Sequence, residues 1–455
     1  MLGNNSYVPG SRGLGALLRR WAMSRSSGSA RPTRGLTSSL GAARALVRLA
    51  CSFISVKLTA VYLGPTGLAL IAQFNNFMTL CQSIVISGLE TAVARLAAEY
   101  NDDHERRNRL LRTAATVGVG LGVPTALAVV VASPLLASWL LQEEAYSWVF
   151  VVGAFSILAA IANAVLMAAF SARGDILRVV ASNILATIVG VIVFAPASVH
   201  WGVAGGLYAS SGIYVISLLI SLVVLYGSPL IKYKEFVGKF DLAEGKRIAS
   251  FYPMLIVHSV TAPLSLILIR SHVASVLSLE SAGWWQACWR LSETYLMVVM
   301  LSVTTQYMVR LGEAANSPRR LRSEMGKTLL LAAGGTCVLA AAIFLLRTLI
   351  VRMLFSSAFL PVADYMGLQL IGDVLKMIGI IMGYVLVATV RSRWYIAIEI
   401  IVPGIFIGMV HVLGGQLGVN GVTTAYVISG AAHCLLSLVA LRDLVFVQEG
   451  KNASQ

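Results

Sequence analysis

Long apolar stretches separated by short polar gaps fill the chain from residue 36 to residue 442. A helix needs roughly 20 mostly apolar residues to cross the hydrocarbon core of a bilayer, and these stretches have that length. Their number and spacing predict about twelve transmembrane helices. The predicted spans are residues 37–63, 67–97, 110–132, 145–171, 175–196, 203–226, 248–271, 283–310, 327–350, 362–389, 394–413 and 420–441.

The composition supports an all-α integral membrane protein. Hydrophobic residues make up 57% of the 455 residues, charged residues make up 12%, and the mean hydropathy is +0.80. A soluble domain carries about 25% charged residues. The five cysteines form no paired motif, so neither a disulfide framework nor a zinc site is indicated. The net charge of +15 is spread over separate loops, which argues against nucleic acid as a partner.

Basic residues are distributed unevenly between the two sets of alternate interhelical segments. One set holds 26 Lys and Arg residues, whereas the other holds only Arg347 and Arg352. Because short loops rich in Lys and Arg remain in the cytoplasm, the first set is predicted to be cytoplasmic. The same assignment predicts that both termini are cytoplasmic, in agreement with an even number of spans.

A short internal repeat divides the predicted spans into two groups of six. Residues 202–205, Gly-Val-Ala-Gly, open the sixth span, and residues 418–421, Gly-Val-Asn-Gly, open the twelfth. Parallel six-helix halves are typical of transporters that bind their substrate at the interface between the halves. The predicted organisation is a disordered basic tail (1–35), an N-terminal lobe (36–226), a cytoplasmic loop (227–247), a C-terminal lobe (248–442) and a cytoplasmic tail (443–455).

Ionisable residues inside the predicted spans are the candidate functional residues, because each costs about 3 kcal/mol to place in a bilayer. Basic residues outnumber acidic ones, so a shared cavity would be cationic and would suit an anionic substrate. The basic candidates for substrate binding are Arg44, Arg48, Lys57, Arg270, Arg290 and Lys376. The acidic candidates, which could carry a proton or another coupling ion, are Glu293, Asp373 and Glu399.

Simpler structural roles remain open for some of these residues. Arg44 and Arg270 lie near predicted helix ends, from which a long side chain can reach the membrane interface. Glu399 has no ionisable or other evident partner within one turn, so it requires a partner on another helix or a bound proton.

Two pairs of opposite charge are spaced three residues apart on predicted helices. Arg290 precedes Glu293, and Asp373 precedes Lys376. Residues at this spacing are neighbours on the helix surface, so both pairs are compatible with intrahelical ion pairs that lower the cost of insertion. In the functional interpretation, one partner instead switches to the substrate or takes up a proton.

Aromatic and histidine side chains offer weaker indications. The tryptophans within residues 284–289 lie where an interfacial aromatic belt is expected, with sugar stacking as the alternative. The histidines lack a second ligand at metal-binding spacing and are expected to pack or to form hydrogen bonds. They are His258, His411 and His433.

The sequence provides no evidence for an enzyme, a cofactor or an ATPase. A phosphate-binding loop of the form GxxxxGK[ST] fails at residues 321–328, because Leu321 occupies the first glycine position. A membrane glycosyltransferase or polymerase would need a large periplasmic loop with catalytic groups, but the longest predicted periplasmic loop, 271–282, offers only His272 and Glu280. Transport is therefore expected to be downhill, coupled to an ion gradient or powered by a partner.

Three motifs carry a resemblance to a known family: residues 57–68, which include Gly-Pro-Thr-Gly-Leu, residues 98–102, and residues 369–376 with the Gly-Tyr pair at 383–384. They resemble the O-antigen translocase family, and most closely its lipid III flippase branch within the multidrug/oligosaccharidyl-lipid/polysaccharide exporter superfamily. The resemblance covers residues 36–442. Arg290 and the Arg-rich leader depart from the family pattern.

The resemblance implies a fold of twelve helices in two lobes, arranged as an inverted V, in the bacterial inner membrane. It implies translocation of an undecaprenyl-pyrophosphate-linked oligosaccharide, such as lipid III of enterobacterial common antigen or an O-antigen unit, by alternating access. A polysaccharide polymerase and a chain-length regulator are implied as partners. The family pattern has counterparts of Lys57, Arg270, Asp373, Lys376 and Glu399, and an acid where Glu293 stands.

A multidrug or cation antiporter of the same superfamily is the alternative transporter. Antiporters of that type require acidic groups in the cavity of the N-terminal lobe to hold cations and protons. The first predicted span contains only basic residues. The sequence therefore favours the flippase.

Overall fold

The computed structural model describes residues 34–100, 103–172, 174–226, 240–250, 252–314 and 317–445. The predicted tail before residue 34, most of the predicted loop 227–247 and residues 446–455 lie outside these ranges. The chain divides into two compact units, Met1–Ala43 and Arg44–Gln455. Residues 34–43 of the first unit are helical, and the cavities and contacts reported below belong to the second unit.

The described residues fold into helices, with no β-strand among them. The helices of the first half are α1 (Arg34–Tyr62), α2 (Gly64–Glu99), α3 (His104–Val131), α4 (Ser133–Leu140), α5 (Ser147–Ala172) and α6 (Ile176–Leu225). Those that follow are α7 (Leu242–Ala249), α8 (Tyr252–Val276), α9 (Leu279–Ala314), α10 (Pro318–Leu345), α11 (Arg347–Leu354), α12 (Val362–Ala388), α13 (Ser392–Leu417), α14 (Val419–Ala440) and α15 (Arg442–Val445). Every predicted span overlaps one of these helices.

Polar residues cap the helices that begin in the basic segments. The side chain of Asp103 accepts a hydrogen bond from the amide of Arg106 at the start of α3, at 2.8 Å. Asp241 accepts from the amides of Ala243 and Glu244 at the start of α7. Such caps satisfy amide groups that lack a partner in the first turn of a helix. The short polar gaps in the sequence therefore define where these helices start.

The number of spans differs from the twelve predicted. Ten helices of the described chain are long and apolar enough to cross a membrane. One of the ten, Ile176–Val224, contains two predicted spans, because the chain remains helical on both sides of a break at Gly202. Helix α9 is 36 residues long but is not among the ten, and its central part carries Arg290 and Glu293. The difference from twelve lies in these two places.

The two halves repeat the same local features. Helices α4 and α11 each have eight residues and begin 214 positions apart. Each is followed by a 3₁₀ turn, at Glu144–Tyr146 and at Ser357–Phe359. The sequence did not predict these short helices, because eight residues are too few to cross a bilayer and lie within a longer apolar pattern. Their equivalent positions support an internal repeat.

The four-residue motif of the repeat has the same geometry in both halves. Gly202 has φ 58° and ψ −142°, and Gly418 has φ 61° and ψ −140°. Residues with a side chain rarely adopt this conformation. A Cβ atom added to Gly205 would lie 2.0 Å from the carbonyl oxygen of Ala197, and one added to Gly421 would lie 2.1 Å from that of Leu413. The first glycine thus makes the bend, and the second allows the two helical segments to approach closely.

Substituting the second glycine of the motif with alanine is expected to destabilise the protein. In Gly205→Ala, the new methyl group would overlap a backbone oxygen, at a cost of about 1–3 kcal/mol or more. Gly212→Ala is the matched control, because a Cβ atom there meets open space on the same helix. The midpoint of thermal unfolding in detergent measures the effect. Equal midpoints for the two variants would contradict the close approach at Gly205.

Aromatic side chains fill the core of each half. In the first half, the Phe74 and Phe77 rings each lie edge-to-face with Phe150, at 5.4 Å. In the second half, Trp285 and Trp289 are buried, and Trp289 stacks with Phe406. The predicted interfacial belt is therefore wrong for these two tryptophans, because they face neighbouring helices rather than the membrane surface.

Candidate functional site

A cavity of about 530 Å³ lies between the two halves. Helices α1, α2 and α6 line it from the first half, and α8 and α9 line it from the second. The charged residues in its lining are Arg48, Arg290 and Glu293, so the lining carries a net positive charge. We call this space the central cavity.

Arg48 provides unused hydrogen-bond donors in the central cavity. Among the residues that the structure describes, its guanidinium has neither a hydrogen-bond acceptor nor an ion-pair partner, and the side chain is exposed. Arg44, one turn earlier on the same face of α1, interacts with it unfavourably as a like charge. A guanidinium offers five N–H donors in a planar arrangement that matches phosphate and carboxylate groups. The site can therefore accept an anion.

Arg290 is held by a residue of each half. Its guanidinium forms an ion pair with Glu293 at 3.1 Å and donates a hydrogen bond to the Ser52 hydroxyl on α1. Glu293 also accepts a hydrogen bond from the Trp289 indole at 2.9 Å. The ion pair predicted from the spacing of Arg290 and Glu293 is confirmed. Because both side chains line the cavity, a bound anion could compete with Glu293 for the guanidinium.

Arg270 lies behind the wall of the central cavity. It is 2% exposed, and it donates hydrogen bonds to Gln73 at 2.7 Å and to Gln286. Gln286 lines the cavity, whereas Arg270 does not. Burial at this position excludes the alternative that Arg270 reaches the membrane interface. Its direct hydrogen-bond partners are neutral amides, so its charge adds to the positive potential of the cavity.

Asp373 is fully buried beneath three hydroxyl groups. Ser292 and Tyr295 of α9 donate to its Oδ2 atom at 2.6 and 2.8 Å, and Tyr426 of α14 donates to Oδ1 at 2.9 Å. Gln369 donates to the Ser292 hydroxyl at 3.1 Å. Sequence reasoning identified the acid but missed its partners. Ser292 and Tyr295 lie 81 and 78 positions away along the chain, and no motif marks them.

Lys376 does not form the predicted ion pair with Asp373. Within the described ranges no salt bridge joins the two side chains, and the ammonium lies 4.6 Å from the centre of the Trp289 ring and 5.8 Å from that of Tyr426. The hydroxyl donors occupy both oxygens of Asp373, and the aromatic faces attract the cation. The intrahelical pair expected from the spacing is therefore wrong.

Glu399 has a partner within one turn, contrary to the expectation from sequence. Tyr395, four positions earlier on α13, forms a side-chain hydrogen bond with it. His433 of α14 also interacts electrostatically with Glu399. Sequence reasoning overlooked the tyrosine at the i−4 position.

A second cavity of about 580 Å³ lies within the first half, between α1, α2, α5 and α6. We call it the N-half cavity. Arg44 lines it and donates a hydrogen bond to Asn183 at 3.3 Å, so this arginine faces a polar space rather than the membrane interface. Glu90 lines the same cavity and interacts electrostatically with Arg44. Tyr214 lines both cavities and thus connects them.

The nine candidate residues are therefore distributed over several places. Arg48, Arg290 and Glu293 share the central cavity, and Arg44 lines the N-half cavity. The remaining candidates line neither cavity. They are Lys57, Arg270, Asp373, Lys376 and Glu399.

Lys57 differs from Arg48 because of its position on the helix. The two residues are nine positions apart, or two and a half turns of α1, and therefore lie on opposite faces. The Lys57 side chain is exposed, whereas its neighbour Val56 lines the central cavity. The helical phase explains why one basic residue of α1 reaches the cavity and another does not.

A polar cluster at the basic end of the helices ties α7 to the first half. The Tyr100 hydroxyl lies 2.9 Å from both carboxylate oxygens of Glu244, which is also 3.2 Å from Arg106. Arg247 pairs with Glu99 at 2.7 Å. Burial, and then the hydrogen bond to Glu244, raise the pKa of Tyr100, so its hydroxyl remains a donor at neutral pH. The segment that leads into the second half is thereby fixed to α2 and α3.

His411, which the sequence presents as isolated, lies against another histidine. The rings of His272 on α8 and His411 on α13 stack with their centres 3.8 Å apart. The described residues contain no group of three or more His, Cys, Asp or Glu that could hold a metal ion. The His258 side chain lies outside the described part of the chain.

Comparison with known proteins identifies the family and the fold. The polysaccharide biosynthesis protein family matches residues 37–307. The lipid III flippases of Escherichia coli (strain K12) and Shigella flexneri are each 24% identical over 385 residues, which cover 85% of this chain and 92% of the relative. These relatives are flippases by name, not catalytic enzymes.

Solved structures of exporters share the fold. An inward-facing multidrug resistance MATE family transporter of the MOP superfamily matches with a TM-score of 0.73 at 13% identity, over 88% of this chain and 98% of that chain. Lipid II flippase MurJ, in an inward closed conformation, matches with a TM-score of 0.69 at 16% identity, over 88% and 87%. Since the family match covers more than half of its residues, this multi-pass membrane chain belongs to the polysaccharide biosynthesis protein family.

Proposed function

We propose that the protein translocates an undecaprenyl-pyrophosphate-linked oligosaccharide from the cytoplasmic to the periplasmic leaflet of the inner membrane. The observation that carries the proposal is the central cavity between the halves, where the unpaired Arg48 and the exchangeable Arg290 face the same space. The lipid III flippase relatives supply the substrate class. Lipid III of enterobacterial common antigen and an O-antigen unit are the two candidate substrates.

The orientation follows from the distribution of basic residues. Most of the loop Lys and Arg residues lie at the starts of α3 and α10 and between residues 232 and 247, so that end of the helices is assigned to the cytoplasm. Both termini are then cytoplasmic. The polar cluster around Tyr100 and Glu244 lies at this end and would restrict or guide movement of α7 during alternating access.

Pyrophosphate would bind the two arginines of the central cavity one after the other. Arg48 offers its free donors first, and the phosphate then displaces Glu293 from Arg290. Charge-assisted hydrogen bonds of this kind are stronger than neutral ones. The buried Arg270 stabilises the anion through the positive potential of its charge. Lys376, beside the Trp289 ring, is the next cation on the second half.

Ion coupling would involve three acids, of which Glu293 lines the central cavity. Glu293 is released when the substrate binds Arg290, and it then becomes free to take a proton. Asp373, one helix deeper, and Glu399, which pairs with Tyr395, are the other proposed carriers. Lys57 lies on the opposite face of α1 and does not line the central cavity, so we assign it no contact with the bound pyrophosphate. The polymerase and chain-length regulator remain proposed partners.

A cation antiporter is the second candidate, and a specific observation favours it. Glu90 of α2 places a carboxylate in the N-half cavity. Sequence reasoning considered the first predicted span, which carries only basic residues. The MATE family transporter has the same fold. However, Arg44 lines the same cavity and interacts with Glu90, which reduces its attraction for a cation.

Transport in proteoliposomes separates the two functions. The expected result is that undecaprenyl-pyrophosphate-linked oligosaccharide placed in one leaflet becomes accessible to a membrane-impermeant lectin only when the protein is present. Glu90→Gln should still translocate the lipid, because the flippase needs no cation site there and the glutamine amide keeps a neutral hydrogen-bonding group in the N-half cavity. Efflux of ethidium that Glu90→Gln abolishes, without lipid translocation, would instead establish the antiporter.

A further inference from the structure

Half of the residues that line the N-half cavity are polar and uncharged. Nine of its eighteen lining residues carry a hydroxyl or amide group. These residues come from α2, α5 and α6, so they surround the space rather than form one stripe. They are Thr79, Gln82, Ser83, Ser87, Asn163, Ser171, Asn183, Tyr214 and Ser217. Neutral hydrogen-bonding groups therefore dominate the cavity.

The two charged residues of this cavity offset each other. Arg44 and Glu90 interact favourably, and no other lining residue is charged. The central cavity differs, because its lining has two arginines and one glutamate. An anion would prefer the central cavity, and an uncharged polar ligand would suit the N-half cavity.

Two buried hydrogen-bonding atoms in the N-half cavity, Asn163 Oδ1 and Gln82 Nε2, have no partner among the described residues. Asn163 donates through Nδ2 to the Ser217 hydroxyl at 3.3 Å, but its Oδ1 atom is buried and unpaired among the described residues. A buried acceptor without a partner costs free energy unless a ligand or water satisfies it. Asn163 and Ser217 thus mark a position where a ligand hydroxyl or amide could bind.

The two cavities follow one another along α2. The central cavity uses residues 68–76 of this helix, and the N-half cavity uses residues 79–94, closer to Tyr100. Tyr214 lines both, and its hydroxyl interacts electrostatically with Arg48. A ligand with an anionic group at Arg48 could therefore extend a neutral part into the N-half cavity, toward the end assigned to the cytoplasm.

We propose that the N-half cavity binds the saccharide of the transported glycolipid, while the central cavity binds the pyrophosphate. This inference rests on the proposed function. Sugar hydroxyl and acetamido groups are neutral donors and acceptors, which match the lining around Asn163 and Ser217. The first half would then select the oligosaccharide, and the charged central cavity would recognise the group common to all such lipids.

Two lipid probes test this division of roles in the full chain reconstituted in nanodiscs. One is undecaprenyl pyrophosphate without sugar, and the other is the same lipid carrying the oligosaccharide, purified from cells depleted of the protein. The variant combines Asn163→Ala with Ser217→Ala. Asn420→Ala, an exposed position outside both cavities, is the matched control. Binding constants are measured for each pair, and thermal unfolding verifies that each variant is folded.

The double variant is expected to bind the glycosylated lipid roughly 25-fold more weakly, at about fivefold for each lost hydrogen bond. Its affinity for the sugar-free lipid should not change, and Arg48→Ala should weaken binding of both lipids. Equal losses for both lipids in the double variant, or no loss for either, would overturn the inference while leaving the proposed function intact. If the wild-type protein binds neither lipid, the proposed function itself fails.

Discussion

Reversing the charge of Arg48 or Arg290 is expected to abolish transport of the lipid-linked oligosaccharide. In Arg48→Glu, five donors for the pyrophosphate are replaced by a carboxylate that repels it. In Arg290→Glu, the new acid also faces Glu293 and loses the hydrogen bond to Ser52. Charge-assisted hydrogen bonds contribute about 1.5–3 kcal/mol each, so the transport rate should fall by about 100-fold or more.

Arg352→Glu is the control for this prediction. It makes the same substitution at an exposed residue of α11 that lines neither cavity. Transport in proteoliposomes and the amount of inserted protein are measured for all three variants. Full activity of both Arg48→Glu and Arg290→Glu would contradict anion binding in the central cavity. A loss in Arg352→Glu as large as theirs would show that the effect is not local.

Removing the Asp373 carboxylate is expected to have the largest effect on stability. In Asp373→Ala, the hydroxyls of Ser292, Tyr295 and Tyr426 lose their acceptor in a fully buried place. At about 1 kcal/mol or more for each unsatisfied group, the loss should reach about 3 kcal/mol. Asp364→Ala, an exposed acid on the same helix, should be nearly neutral.

Asp373→Asn separates structure from ion coupling. The amide keeps one oxygen as an acceptor and preserves the shape of the side chain, so the unfolding midpoint should fall less than in Asp373→Ala. If Asp373 carries the coupling proton, this variant should no longer respond to a pH gradient imposed across the vesicle membrane. An unchanged response rules out Asp373 as the carrier. An unfolding midpoint for Asp373→Ala equal to that of the wild type would contradict the buried hydroxyl cluster.

Sequence reasoning could predict most of the fold because apolar length determines membrane helices. The predicted spans all overlap helices, and the repeated motif at Gly202 and Gly418 has the same backbone geometry in both halves. The break at Gly202 and the charges in α9 account for the difference in span number. Helices α4 and α11 were missed, since short helices beside a span share its apolar pattern.

For the candidate site, the sequence predicted the types of residue but not their contacts. The free-energy cost of placing a charge in a membrane identified Arg48, Arg290 and Asp373 as candidates. It does not predict which partner each side chain contacts. Those partners depend on how neighbouring helices are rotated, as for the hydroxyls around Asp373. The nine-residue spacing of Arg48 and Lys57 places them on opposite faces of α1, so the sequence alone could have shown that they do not face the same space.

Nothing in the sequence indicated that neutral polar residues line the N-half cavity. Residues such as Asn163 and Ser217 are common inside transmembrane helices, where they also join helices by hydrogen bonds. Only their convergence around one space distinguishes them. The predicted location of Trp289 was wrong for a related reason. An aromatic residue near a helix end fits both an interfacial belt and a buried core, and Trp289 is buried.

The most direct test of the central claim is the location of the glycolipid when the protein is depleted from cells. The account predicts that an undecaprenyl-pyrophosphate-linked oligosaccharide accumulates in the cytoplasmic leaflet, where a lectin reaches it only in inverted membrane vesicles. Restoring the wild-type protein should move it to the periplasmic leaflet, and Arg48→Glu should not. Depletion that leaves the amount and the leaflet of every such glycolipid unchanged would contradict the claim.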